Sequence, residues 1–259
     1  MSDLSQRVVM VTGAGSGIGL AAARAALAQG ALVAFLDRDG EAIRTAVEAV
    51  AAPDRALAVD CDVTSIEQVD SAFGAVESTF GPVSGLVNSA GIERGGPSHL
   101  MDPGQWRSTI DVNLTGTFLV SQRALRSEES RAGLSIVCVS SPAAFVGFSA
   151  GENAAYSASK GGVSALVRTL AIEYAPARAR VNAVVPGATE TPLMWANVPA
   201  ADIDNVRHDV EDAVPLGRLA DPKEIAEAIV WLLSNRSAYV TGTHLVCDGG
   251  LLAKAAISV

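Results

Sequence analysis

The sequence predicts an α/β fold: a doubly wound parallel sheet with helices on both faces. Three observations carry this. Short apolar runs alternate with longer stretches of helical period. The runs are apolar throughout rather than at every second position, which is the pattern of strands covered on both sides. A glycine-rich turn joins the first run to the first helical stretch.

Residues 7–12 (RVVMVT) form the first strand. Residues 17–29 are an Ala-rich helix that Gly30 ends, since glycine tolerates the left-handed geometry after a last turn. Strand 31–37 (ALVAFLD) follows, then helix 41–51, which Pro53 stops. Next come strand 56–60, helix 65–80 and strand 83–88, then one long helix over 103–128. Strand 135–139 (SIVCV), helix 155–174, strand 181–185, helix 224–233 and a closing strand at 245–247 complete the series. Segment 192–215 reads as irregular, and a loop of that length is usually a lid or a binding loop. A single domain over residues 1–259 is expected. Crossovers are right-handed in such a sheet, and ligands sit outside the carboxyl ends of its strands.

Composition narrows the function. Of 259 residues, 49% are hydrophobic and 18% charged, which supports a real core and excludes a mainly disordered chain. The 19 Lys and Arg against 28 Asp and Glu give a net charge of −9. Such a surface repels phosphate backbones, so neither nucleic acid nor an anionic membrane is an expected partner. The uncharged stretch 132–151 is broken by Pro142 and Gly147, and its first half reads as a buried strand rather than a span. The start, Met1 to Gln6, is polar and lacks a signal peptide's apolar run. Cys61, Cys138 and Cys247 show no metal or redox spacing, and the last two sit in strand-like runs as buried thiols. A soluble, cytoplasmic protein is expected. His99, His208 and His244 are scattered, so no metal site is expected.

The glycine turn reads Thr12-Gly13-Ala14-Gly15-Ser16-Gly17-Ile18-Gly19. Between a strand and a helix it lets backbone N–H groups approach a pyrophosphate, and the helix N-terminus adds positive potential. No Lys-Ser/Thr follows, which excludes the triphosphatase loop. The spacing is G-x-x-x-G-x-G rather than G-x-G-x-x-G. The second strand ends at Asp37, 18 residues after Gly19. A carboxylate there accepts ribose hydroxyls and repels a 2′-phosphate, so NAD is favoured over NADP, although Arg38 follows directly.

Tyr156 and Lys160 stand at i and i+4, on one face of a helix. A free phenol is a poor base at neutral pH, and a nearby ammonium lowers its pKa. The pair can then exchange a proton with a carbonyl or alcohol oxygen. Taken alone, the pair is an ordinary helix-surface pattern.

Its company is more specific. Thr12-Gly13-x-x-x-Gly17-Ile18-Gly19, Asp62-Val63, Asn88-Ser89-Ala90-Gly91, Asn113, Ser140-Ser141, Tyr156-x-x-x-Lys160 and Pro186-Gly187 followed by Thr191 occur in one order. Over nearly its whole length the sequence resembles the short-chain dehydrogenase/reductase family. The resemblance implies a Rossmann-like sheet and a catalytic set of Asn113, Ser141, Tyr156 and Lys160. Tyr156 is then the general acid/base. Lys160 holds the nicotinamide ribose, Asn113 kinks the long helix and holds a water, and Ser141 (with Ser140 its rival) orients the substrate oxygen. The serine-to-tyrosine separation of 15 is about two longer than the family pattern, and Ala144 stands where a glycine is usual. The implied cofactor residues are Gly13, Ser16, Gly17, Ile18, Asp37, Asp62, Val63, Asn88, Ala90, Tyr156, Lys160, Pro186, Gly187 and Thr191. Asp62-Val63 would bracket the adenine, and Pro186 to Thr191 would bind the carboxamide. A homotetramer is implied as well.

The expected substrate pocket is walled by 92–99, 145–153 and the segment from Pro192, where Leu193, Met194 and Trp195 are apolar. Arg94 and Arg207 are the candidates there for a carboxylate clamp. The reading is an NAD-dependent oxidoreductase acting on a neutral secondary alcohol or ketone, ring compounds included. The alternatives are an NADPH-dependent ketoreductase of acyl-carrier substrates, and a catalytically silent NAD-binding sensor or scaffold.

Overall fold

The computed structural model describes residues 3–50, 52–148 and 152–254. Seven strands form one sheet: β1 (Val8–Thr12), β2 (Leu32–Asp37), β3 (Ala56–Asp60), β4 (Gly85–Asn88), β5 (Ser135–Val139), β6 (Arg180–Pro186) and β7 (His244–Cys247). All pairings are parallel, in the order β3-β2-β1-β4-β5-β6-β7. The chain winds outward from β1 to β3, then returns to place β4 on the other side of β1. That reversal opens a crevice at the carboxyl ends of β1 and β4.

Ten α-helices occur among the described residues: α1 (Gly17–Ala28), α2 (Gly40–Glu48), α3 (Ile66–Phe80), α4 (Pro103–Ile110), α5 (Thr117–Arg126), α6 (Glu128–Arg131), α7 (Ala154–Tyr174), α8 (Pro192–Trp195), α9 (Ile203–Ala213) and α10 (Pro222–Leu233). Two apolar layers cover the sheet. One joins α3, α5 and α7 to it through Phe73, Val120, Leu125 and Val167. The other joins α1 and α10 through Ala23, Leu27, Ile225 and Ile229. The small alanines of α1 let that helix lie close to α10 and the sheet.

Three expectations are corrected. The helix expected over 103–128 is interrupted by a π-helical stretch, Asp111–Gly116. There the Asn113 side chain is drawn to the loop after β4, and Gly116 lies so close to Val63 that a Cβ would come 2.6 Å from its methyl. Segment 192–215 is mostly helical, carrying α8, a 3₁₀ turn and α9. None of the α9 residues is fully buried; its apolar stripe, Ile203, Val206 and Val210, is short and only partly covered. Cys61 and Cys138 are buried, whereas Cys247 is only partly so, because β7 is the sheet edge. Residue 51, the expected end of α2, and residues 149–151 of the expected pocket wall lie outside the described residues. No helix of the described residues is long and apolar enough to cross a membrane.

Candidate active site

The glycine turn leaves β1 and enters α1. Gly13 has φ +67°, and a Cβ on it would meet the Ala90 backbone at 2.8 Å; a Cβ on Gly19 would overlap the Gly13 carbonyl oxygen. The turn is therefore drawn against the loop after β4. Thr12 locks that junction, because its buried hydroxyl accepts the N–H groups of Ser89 (3.1 Å) and Ala90 (3.2 Å). Ser16 is the N-cap residue of α1, yet its side chain makes no capping bond. Ile18, one turn position on, packs against the apolar layer beneath α1. The first turn of α1 carries no acidic residue of its own.

Asp37 ends β2 beside this turn. Its carboxylate accepts the Gly15 N–H at 3.0 Å and the Asp39 N–H at 3.1 Å. Two backbone donors thus fix a negative charge next to the turn, while Arg38 is exposed. On the far side of the crevice, Gly17 reaches Thr191: a Cβ there would lie 3.2 Å from the threonine methyl. Thr191 caps α8 by accepting the Met194 N–H at 3.3 Å. Pro186 ends β6, and the Gly187 N–H donates to the Cys247 carbonyl at 2.9 Å, anchoring the stretch that runs to Thr191.

Asp62 and Val63 follow β3. The Asp62 carboxylate is held by the Thr64 N–H (2.9 Å) and hydroxyl (2.7 Å), and Val63 is buried against Gly116. Asn88 donates to Ser121 at 2.9 Å, tying β4 to α5. Its Oδ1 is buried without a partner among the described residues.

The Tyr–Lys pair lies on α7, with the Lys160 ammonium 5.5 Å from the Tyr156 ring centre. Lys160 is buried and donates to the Val139 carbonyl at 2.8 Å, so the end of β5 aims it. Asn113 is buried in the π-helical stretch, where its Oδ1 accepts the Ile92 N–H (2.8 Å) and its amide donates to the Ile92 carbonyl (2.9 Å) and to Ser159 (3.0 Å). This clamp fixes the loop after β4 against α7. The two serines separate clearly. Ser141 shares a hydrogen bond with the Tyr156 phenol. Ser140 is turned away, bonded to Ser164 at 3.0 Å and donating to the Lys160 carbonyl.

Electrostatics correct one expectation. The Tyr156 phenol is pushed up, not down, first by burial and then by the charge of Glu93. Ser141 opposes this weakly through its hydrogen bond. Loss of water pushes Lys160 down to about 8, against the pull of Cys138 and Glu93. Glu93 was not singled out by motif, since it lies in a loop without periodicity. The only signal for it is its place two residues after Gly91.

The expected pocket wall is partly found. Phe145 packs edge-on against His244, with ring centres 5.5 Å apart, and remains half exposed. Arg207 is no free clamp: it pairs with Glu190 and lies over the Trp195 ring at 4.8 Å. Among the described residues no cluster of His, Cys, Asp or Glu could hold a metal.

Residues 13–252 match the family model described as enoyl-(acyl carrier protein) reductase. The chain belongs to the short-chain dehydrogenase/reductase family. Members of this family are oxidoreductases that use nicotinamide cofactors, NAD or NADP. The short-chain dehydrogenase/reductase fold recurs in a solved structure from Mycobacterium marinum, with TM-score 0.91 and 31% identity over 97% of this chain and 98% of that one. Among curated relatives, a 2-(S)-hydroxypropyl-CoM dehydrogenase of Xanthobacter autotrophicus is 39% identical, covering 96% of this chain and 98% of its own. A cis-4-hydroxycyclohexanecarboxylate dehydrogenase of Sinomonas cyclohexanicum is 41% identical, covering 96% and 98%.

Proposed function

We propose that this short-chain dehydrogenase/reductase moves a hydride between NAD(H) and a secondary alcohol or ketone. The observation that carries the reading is the convergence of Tyr156, Lys160 and Ser141 at the strand tips beside the glycine turn. The cradle of Gly13, Gly17 and Gly19, Asp37 and Thr191 fits a dinucleotide, because the glycines draw the turn tight against the Ala90 backbone and Thr191 beside a carboxylate held by the Gly15 N–H. In this reading Gly13, Ser16, Gly17 and Ile18 hold the pyrophosphate, Asp37 the adenosine ribose, and Asp62 and Val63 the adenine. Asn88 and Ala90 support the middle of the cofactor, and Pro186, Gly187 and Thr191 hold the carboxamide. The bound nicotinamide supplies the hydride exchange.

The chain's own groups manage the proton. Tyr156 gives its proton to the carbonyl oxygen during reduction and receives one during oxidation. Ser141 orients that oxygen and stabilises its developing charge. Lys160 supplies positive charge and binds ribose hydroxyls. Asn113 holds the loop and the helix in register, and its main-chain carbonyl already accepts the Thr117 hydroxyl at 2.8 Å.

NAD is favoured over NADP by the Asp37 carboxylate, fixed by two N–H groups where a 2′-phosphate would stand. Comparing turnover with NAD⁺ and NADP⁺ in the wild type and in Asp37→Ala tests this. The wild type should prefer NAD⁺, and the variant should lose most of that preference; an unchanged ratio contradicts it. A six-membered-ring alcohol is the favoured substrate class, supported by the ring substrate in the relative's name and by the apolar Leu193, Met194 and Trp195. The reading extends to one domain over 1–259, a homotetramer and a cytoplasmic setting. Light scattering measures the assembly, and cell fractionation the compartment.

A further inference from the structure

Ser159 stands between Tyr156 and Lys160 on α7 and is completely buried. Its hydroxyl carries one proton and donates it to the Tyr156 carbonyl at 2.7 Å. The lone pairs of the same oxygen are left to accept, and the Asn113 amide donates to it at 3.0 Å. The direction of this relay is therefore fixed, from Asn113 to Ser159 to the Tyr156 carbonyl. Within the α-helix that carbonyl is also the acceptor for the Lys160 N–H. A serine bonded back to its own helix is commonplace. This one also ties the helix to a second element, 46 residues away in the chain.

Asn113 is a fixed post for that tie. Its second amide hydrogen goes to the Ile92 carbonyl at 2.9 Å, and its Oδ1 accepts the Ile92 N–H at 2.8 Å. Both amide hydrogens are thus committed. The post stands close to the reacting groups, since a Cβ on Gly91 would lie 3.4 Å from the Asn113 Oδ1 and 3.7 Å from the Lys160 ammonium. The π-helical stretch and α7 also touch through carbon, where a Cβ on Gly162 would come 2.6 Å from a Leu114 methyl. Carbon packing sets how near the two helices lie but hardly resists sliding. A hydrogen bond weakens steeply off its line, so it sets their register.

We propose that Ser159 is a positioning residue for the proton transfer. By anchoring the first turns of α7 to Asn113, it fixes where the Tyr156 phenol and the Lys160 ammonium stand against the loop after β4. Ser159 itself touches neither substrate nor cofactor. Its leverage is geometric: a displacement of about 1 Å at a reacting group can cost on the order of a hundredfold in rate. The inference rests on the oxidoreductase reading above.

The test uses the full chain with Ser159→Ala and with Ser159→Cys, which nearly keeps the volume. Ser135→Ala is the control, because its buried hydroxyl bonds the Leu232 carbonyl at 2.9 Å from the amino end of β5, opposite the crevice. Three quantities are measured: kcat and KM with NAD⁺ on cyclohexanol and related ring alcohols, NADH affinity by fluorescence, and the titration of Lys160 by NMR. The last needs no turnover, and the chain has only three lysines, Lys160, Lys223 and Lys254. Ser159→Ala should lower kcat by about tenfold or more while NADH affinity stays within about twofold. Its Lys160, held down to about 8 by burial, should titrate at higher pH as water reaches it, with Cys138 and Glu93 left in place. Ser159→Cys should fall between, since a thiol is a weak donor and acceptor. Ser135→Ala should lower Tm alone. Wild-type kcat and an unmoved Lys160 in Ser159→Ala overturn the inference. If the wild type turns over no alcohol or ketone, the oxidoreductase reading falls and the lysine titration decides. A rise confined to the Ser159 variants keeps the positioning role, and no rise removes it.

Discussion

Tyr156 enters the neutral range protonated, since burial and the Glu93 charge both hold its proton on. The sign follows directly. Reduction needs the phenol and should proceed at neutral pH, whereas oxidation needs the phenolate and should climb as the pH rises. The measured kcat/KM for oxidation should increase steadily from pH about 6 to about 9; a flat profile would contradict the role of Tyr156. Tyr156→Phe should keep NADH affinity and lose turnover by about a hundredfold or more. The serines give a sharper contrast. Ser141→Ala should cut kcat, since that hydroxyl bonds the phenol. Ser140→Ala should chiefly lower Tm, because its hydroxyl is tied to Ser164 in the interior. Sequence spacing left these two serines unresolved, since adjacent residues after a strand point opposite ways and only the turn decides which faces the cleft.

At the scale of elements, periodicity made strands and most helix bounds legible, while the interruption of the long helix was signalled only by the family resemblance at Asn113. Runs such as 135–139 became strands to the residue, because burial on both faces leaves only Ser135 polar, its hydroxyl bonded to the Leu232 carbonyl. The break at Asp111–Gly116 was invisible in periodicity; it comes from a tertiary pull by the loop after β4 and from the Gly116–Val63 contact. The start of α10 was missed by two residues, although Asp221-Pro222-x-Glu224 carries the signal. Asp221 accepts the Lys223 N–H at 2.8 Å, and Glu224 reaches back to the Asp221 N–H at 2.8 Å. Replacing Asp221 by alanine should cost about 1 kcal/mol of stability, measurable by urea denaturation. A variant as stable as the wild type would mean that Arg218, paired with Glu224, holds the helix start unaided.

For the molecule as a whole, the parallel order brings the carboxyl ends of all seven strands to one edge. The candidate cofactor residues come from β2, β4, α7, the start of α1, the loops after β1, β3 and β4, and the stretch from the end of β6 to Thr191, so a ligand there bridges both halves of the sheet. Binding to the folded state alone should raise stability, by about 2.7 kcal/mol at roughly a hundred times Kd. Thermal melts with NADH should show a larger Tm rise than melts with NADPH at equal concentration; the reverse order would count against Asp37. Fold class and the Tyr156–Lys160 pair were readable from the chain because each is a local pattern. Glu93 was not, since its charge bears on Tyr156 and Lys160 only once distant segments meet.

The carboxylate of Glu190 receives the Trp195 indole at 2.7 Å and the Arg207 guanidinium, one residue before Thr191. With no fully buried residue of its own, α9 is held by this knot and by the partly covered Ile203, Val206 and Val210. Such a segment should open at little expense. Its amides should swap deuterium far sooner than those of β5. A protease should nick the chain there first, and cutting Arg207 back to alanine should hasten both.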